Sequence, residues 1–197
     1  MIAEIGHFAL IAAFLLAGLQ ATVPLYGAHK GDRGMMELAR STAVGQFALV
    51  LLAFAALVNA FVTSDFSVLN VAQNSHSTKP MLYKISGAWG NHEGSLLLWA
   101  LILSLFGAMV ACFGRNLPPS LRARTLAIQG MIALGFLAFM LFTSNPFDRI
   151  LAPPSDGAGL NPLLQDPGLA FHPPFLYFGY VGLSISFSFA VAALIEG

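Results

Sequence analysis

The sequence predicts an all-α integral membrane protein of about five transmembrane helices, with its N-terminus outside and two long outward-facing loops. Three observations lead there. Of the 197 residues, 57% are hydrophobic and 9% charged, and the mean hydropathy of +0.75 lies far above that of a soluble domain. The charged residues leave five charge-free windows, 5–29, 41–64, 94–114, 125–147 and 167–195. Each window reaches the roughly 20 apolar residues that cross a hydrocarbon core, where only helices and closed barrels satisfy the backbone.

The first helix is expected over 5–28. Glu4 stands where a signal peptide would carry positive charge, so this stretch is read as a retained membrane helix. The second helix is expected over 41–63. The third, over 94–114, has Asn91 as its N-cap and Glu93 in the first turn, where the helix dipole favours an acid. The fourth is expected over 125–144. The fifth, over 173–195, begins at Pro173 and Pro174, because proline removes nothing from a first turn whose amides are free. In it Gly182, Ser186 and Ala190 recur every four residues and predict a packing face for another helix.

Charge placement orients these spans. Lys30, Arg33 and Arg40 precede or open the second span, and Arg115, Arg122 and Arg124 lie between the third and fourth. These six bases place those short connections in the cytoplasm. The connections over roughly 64–93 and 145–172 carry mixed charge and are expected outside, the second being proline-rich, irregular and stiff.

Several function classes fall away. Zero formal net charge gives no footprint for nucleic acid. Cys112 alone forms neither an intrachain disulfide nor a CxxC pattern, and no hydrolase, metalloprotease or nucleotide-binding motif is present. No ionisable residue sits at mid-membrane. The polar groups at that depth are little more than Gln20, Gln46 and Asn59, which disfavours an ion pump or transporter.

The chemistry then rests on histidine. His172 lies in Phe171-His172-Pro173-Pro174-Phe175-Leu176-Tyr177, at the outer start of the fifth helix. A residue before proline favours extended backbone, which would fix the imidazole at the membrane surface. Two readings stand: an axial metal ligand surrounded by Phe171, Phe175 and Tyr177, as in haem sites, or a helix-entry residue within an interfacial aromatic belt. His92, in Trp89-Gly90-Asn91-His92-Glu93-Gly94-Ser95, reads as part of a helix start, with a cofactor role as the weaker alternative. His76 reads as a solvated loop residue, His29 falls on the cytoplasmic side, and His7 lies near Glu4 at the outer end of the first helix.

The run from Trp89 to Trp99, preceded by Tyr83-Lys84-Ile85-Ser86, together with His172-Pro173-Pro174, Tyr177 and Gly179-Tyr180, closely resembles the CcmF family. That family is the haem-handling, haem lyase subunit of system I cytochrome c maturation. The resemblance extends over essentially the whole chain, 1–197, read as a single membrane domain forming the N-terminal portion of a longer architecture. It implies a multi-pass protein of the bacterial inner (cytoplasmic) membrane, or the mitochondrial inner membrane if organellar, with functional loops on the periplasmic side. It implies b-type haem as the cofactor delivered for covalent attachment, handed over by the haem chaperone CcmE and joined to apocytochrome c with help from CcmH. His172 matches an outward-facing axial ligand to the haem iron, with Phe171, Phe175, Tyr177 and Trp89 around the cofactor and His92 as a weaker member. Family members are several times longer and continue into a tryptophan-rich segment, a second external histidine and two intramembrane histidines. Those features are absent from 1–197, whose two tryptophans are Trp89 and Trp99. The remaining C-terminal CcmF segment is therefore an expected partner besides the lipid bilayer. The competing expectation is a non-catalytic membrane scaffold that docks the haem chaperone and the apocytochrome partners.

Overall fold

A computed structural model describes all 197 residues. The chain is helical, without named strands, in the order α1 (Ile2–Lys30), α2 (Arg33–Val62), α3 (Leu69–Asn74), α4 (Met81–Gly87), α5 (His92–Phe113), α6 (Pro119–Phe142) and α7 (Pro167–Glu196). Five of these, α1, α2, α5, α6 and α7, are long and apolar enough to cross a membrane. The expectation of an all-α protein with about five membrane-spanning helices is borne out.

α1, α2, α5 and α6 pack as a four-helix cluster, and α7 lies against α5 and α6 at its edge. Small side chains allow the closest approach. Ala9, Ala13, Ala17 and Ala21 recur every four residues along the buried face of α1; the first three share one core with Ala53, Ala56 and Ala60 of α2, while Ala39 and Ala43 of α2 pack with Ala111 of α5 and Leu126 of α6. Without a hydrophobic driving force between helices in lipid, such stripes supply the van der Waals contact that holds them together. Gly31, at φ 71°, ends α1 in the left-handed conformation, and Asp32 caps α2 by accepting from the Met35 amide at 3.1 Å.

Polar side chains stitch the cluster inside. Gln20 Nε2 donates to the Leu126 carbonyl at 2.8 Å, and Gln129 Nε2 donates to Ser184 Oγ and Ser188 Oγ at 3.1 and 3.0 Å. Gln46 is buried as expected and Asn59 is partly exposed. Gln129 is an isolated polar residue in an apolar span, and its partners lie 55 and 59 residues further along the chain, on α7.

Two features of α7 differ from expectation. The helix starts at Pro167, capped by Asp166, which accepts from the Leu169 amide at 3.1 Å, so Pro173 and Pro174 lie within it. His172 consequently has helical rather than extended backbone. The four-residue repeat of small residues also packs only at its start: Gly182 lies against Phe106 of α5, Ser186 and Ala190 are exposed, and Val181, Ser188 and Ala192 form the packed side. The spacing was recognised, but the face was offset because Gln129 draws Ser184 and Ser188 toward α6.

The two long connections form one layer at the end of the bundle that carries the N-terminus. Val68 and Arg149 make an isolated antiparallel bridge, flanked by Leu69 N–H to Asp148 O at 2.8 Å and Ile150 N–H to Ser67 O at 3.0 Å. Arg149 also pairs with Glu4 and Asp65. Further along, Asp156 accepts from the Ser77 amide at 2.9 Å and from its hydroxyl, and lies 3.4 Å from His76 Nε2. The Ser77 hydroxyl, then its amide, hold the Asp156 carboxyl below its ordinary range. Burial, with Lys84 adding repulsion, lowers Lys79 from 10.5 to about 8. His76 is thus a loop residue, its side chain 40% exposed, that also contacts the second long connection. At the opposite end, Glu37 pairs with Arg122 at 2.7 Å and Glu196 pairs with Arg124.

Candidate functional site

The turn from Ala88 to Ser95 organises the loop-bearing end of the bundle. Asn91, as expected from sequence, caps α5 by accepting from the Gly94 amide at 2.7 Å, with Glu93 in the first turn. Its own amide donates to the Gly87 carbonyl at 2.7 Å and ties α4 to α5, while Asn70 Nδ2 donates to Asn91 Oδ1 at 2.9 Å and brings in α3. Ser95 Oγ donates to the Trp89 carbonyl at 2.7 Å. The Trp89 indole stacks on Phe54 with centroids 6.4 Å apart and an interplanar angle of 19°.

Between this turn, the second long connection and the start of α7 lies a cleft of about 500 Å³. Ser86, Trp89, His92, Ser95, Leu160 and Tyr177 are among the residues lining it, and none of its lining residues is Asp, Glu, Lys or Arg. Ser86 is 4% exposed and its hydroxyl has no partner within the chain. The cleft is therefore a recess without formally charged side chains, half of its lining apolar, with an imidazole and a free hydroxyl at its wall. His92 opens α5, exposed, with Nε2 3.3 Å from Ser144 Oγ and its ring edge-on to Phe139 at 6.3 Å.

The structure divides the residues singled out from sequence into two groups. Trp89, His92 and Tyr177 meet at the cleft. Phe171, His172 and Phe175 do not line it: all three are exposed on α7, Phe171 at 53% and Phe175 at 76%. Helical geometry explains the division. Tyr177 follows His172 by five residues, which turns it by about 140° around the axis, whereas Phe175 follows by three and shares the His172 face. Extended backbone at His172, as expected from the following proline, would have hidden this separation.

The cleft and the His172 face are nonetheless joined, because the Trp89 indole Nε1–H donates to the Ala170 carbonyl at 2.9 Å, two residues before His172. Sequence reading missed this link. The available signal was Pro174, which leaves the carbonyl four residues earlier without its helical donor.

His7, the other histidine at this end, faces a separate recess of about 430 Å³ with Glu4, Asn145 and Arg149. Its Nδ1 is 3.1 Å from Asn145 Nδ2.

Comparison with known proteins follows the same two motifs. The model of the family described as cytochrome C assembly protein matches residues 89–196, beginning at Trp89 and running through α7. The chain is 64% identical over 197 residues to the cytochrome c-type biogenesis protein ccl1 of Rhodobacter capsulatus, covering 100% of this chain and 30% of that protein. It is 57% identical over 198 residues to CcmF of Pseudomonas aeruginosa, covering 100% and 30%, and 51% identical over 198 residues to CcmF of Escherichia coli, covering 100% and 31%. Among solved structures, it matches the cytochrome c heme lyase CcmF with a TM-score of 0.87 at 28% identity, covering 100% of this chain and 31% of that chain. The chain thus spans about 30% of the length of the relatives it matches.

Proposed function

The chain belongs to the cytochrome C assembly protein family, and we propose that it forms the outward-facing, haem-receiving part of a membrane subunit for cytochrome c-type biogenesis. The observation that carries this reading is the exposed His172 near the start of α7, within the segment that matches the family. Phe171 just before it and Phe175 about one helical turn after it are exposed as well. Such a surface suits an axial bond to iron, with the apolar rings covering one face of a macrocycle.

Haem is the substrate of this reading. His172 binds the iron, Phe171 and Phe175 orient the ring, and the Trp89–His92 cleft with Tyr177 supports the turn from behind. Six-coordinate iron needs a second ligand, which the motif resemblance assigns to segments outside 1–197. In the same proposal the bundle end bearing Glu4, α3, α4 and residues 143–166 faces the periplasm, and the end bearing Arg122 and Arg124 faces the cytoplasm. The protein sits in the inner membrane as a single membrane domain of a longer architecture, receives haem from CcmE, and meets CcmH and apocytochrome c at the outer layer.

Two measurements test these assignments. In a Cys112→Ser background, a cysteine at exposed Ser155 is expected to react with an impermeant maleimide in whole cells, and one at Asn116 only after lysis; the reverse pattern overturns the orientation. Separately, the chain expressed alone in a strain lacking the whole gene is expected to give no holocytochrome c, and co-expression with the rest of the family architecture is expected to restore it. Restoration by the chain alone would show that the second ligand is not outside it. A scaffold without haem contact predicts instead that the reconstituted pair works equally well when His172 is alanine.

A further inference from the structure

The two prolines inside α7 each remove an amide that the helix would use. Pro174 has no N–H to give to the carbonyl of Ala170, four residues before it. Ala170 is 3% exposed, so bulk water is a poor replacement. The donor instead comes from another element: the Trp89 indole N–H reaches that carbonyl at 2.9 Å.

This bond sits where the backbone needs it. His172 and Pro173 both precede a proline, and helical geometry is disfavoured at such positions by contact with the proline ring. The Asp166 cap and Pro167 at the first helical position stabilise only the turn before the proline pair. Trp89 is itself fixed, by the stack on Phe54 and by Ser95 on its carbonyl, so it offers a donor whose position does not depend on α7.

We propose that the Trp89 indole N–H is the positioning group for His172, standing in for the amide that Pro174 lacks and holding the His172 turn helical. In functional terms this rests on the haem role proposed for His172, while the backbone claim stands without it. Trp89 touches no substrate in this account. It links the Trp89-to-Ser95 motif to the His172-Pro173-Pro174 motif through one hydrogen bond, and it explains why a pre-proline residue is helical here.

The test is a double-mutant cycle on the full chain in nanodiscs, read by amide hydrogen exchange over residues 167–178. Trp89→Phe keeps a stacked ring and deletes the donor; exchange in this segment is expected to rise about tenfold, the factor carried by one unmade buried hydrogen bond. Pro174→Ala gives the helix its own amide, so adding Trp89→Phe to Pro174→Ala is expected to change exchange less than twofold. Unchanged exchange in Trp89→Phe overturns the proposal, and so does a double variant as unprotected as Trp89→Phe alone, since that result assigns Trp89 a packing role only. A second arm measures the iron–histidine spectrum of the complete assembly loaded with haem. Trp89→Phe is expected to shift it and Pro174→Ala to restore it. If His172→Ala leaves that spectrum unaltered, the ligand reading fails, and the exchange cycle still decides the role of Trp89.

Discussion

His172→Ala in the complete maturation assembly is expected to lower bound haem more than about tenfold, since even groups that only support a metal ligand carry 10- to 100-fold effects. No neighbour can replace the lost iron bond. Phe171, Pro173 and Phe175 have no ligating atom, and Tyr177 lies on the cleft side of the helix with Trp89. Pyridine haemochrome assay of the purified assembly measures the loss, and holocytochrome yield follows it. Added imidazole is expected to restore part of the signal by occupying the vacated coordination position, which no packing role permits. Normal haem content together with normal cytochrome yield in the alanine variant would sink the ligand assignment and favour an aromatic belt.

Gly94→Ala carries the largest expected effect on the fold. A β-carbon at this position would lie 1.7 Å from the Ala88 carbonyl oxygen and 2.8 Å from its carbon, both backbone atoms that cannot swing aside. The turn would have to open, and with it the Asn91 cap, the tie from Asn91 to Gly87, and the placement of Trp89. A cost of about 3 kcal/mol or more is expected, at or above the upper end for forced overpacking. Gly107→Ala is the matched control on the same helix. Nothing lies within 4 Å of its would-be β-carbon, so relief of glycine's poor helix propensity is expected to stabilise by up to about 1 kcal/mol. Thermal unfolding in one detergent compares the pair; equal melting temperatures for both variants would refute the steric account.

The elements that depend on local chemistry were legible in the sequence. Five charge-free windows became five long helices because bilayer thickness leaves few other solutions. Asn91 and Glu93 announced the start of α5 since a cap acts within one turn. Misplacements arose where distant parts of the chain decide. Pro173 and Pro174 look like a helix start when read locally, yet Asp166 and Pro167 begin the helix earlier and Trp89, 81 residues away from Ala170, supports its passage through them. Gln129 looked like one more residue of an apolar span until α7 placed two hydroxyls beside it. The recess joining Trp89, His92 and Tyr177 was likewise hidden, because its walls come from α4, α5, α7 and the second long connection.

The paired serines on α7 also set a timetable for synthesis. Gln129 and Ser184 are 55 residues apart, so at roughly 5 to 20 residues per second a ribosome delivers the glutamine about 3 to 11 seconds before its first serine emerges. For that interval the Gln129 amide has no hydroxyl from α7, and an unpaired amide in hydrocarbon is costly. α6 therefore spends its first seconds as an incompletely satisfied span. Translocation machinery that retains it beside the exit channel until α7 arrives would spare it exposure to lipid, whereas early release would leave the amide free to seek partners elsewhere in the membrane.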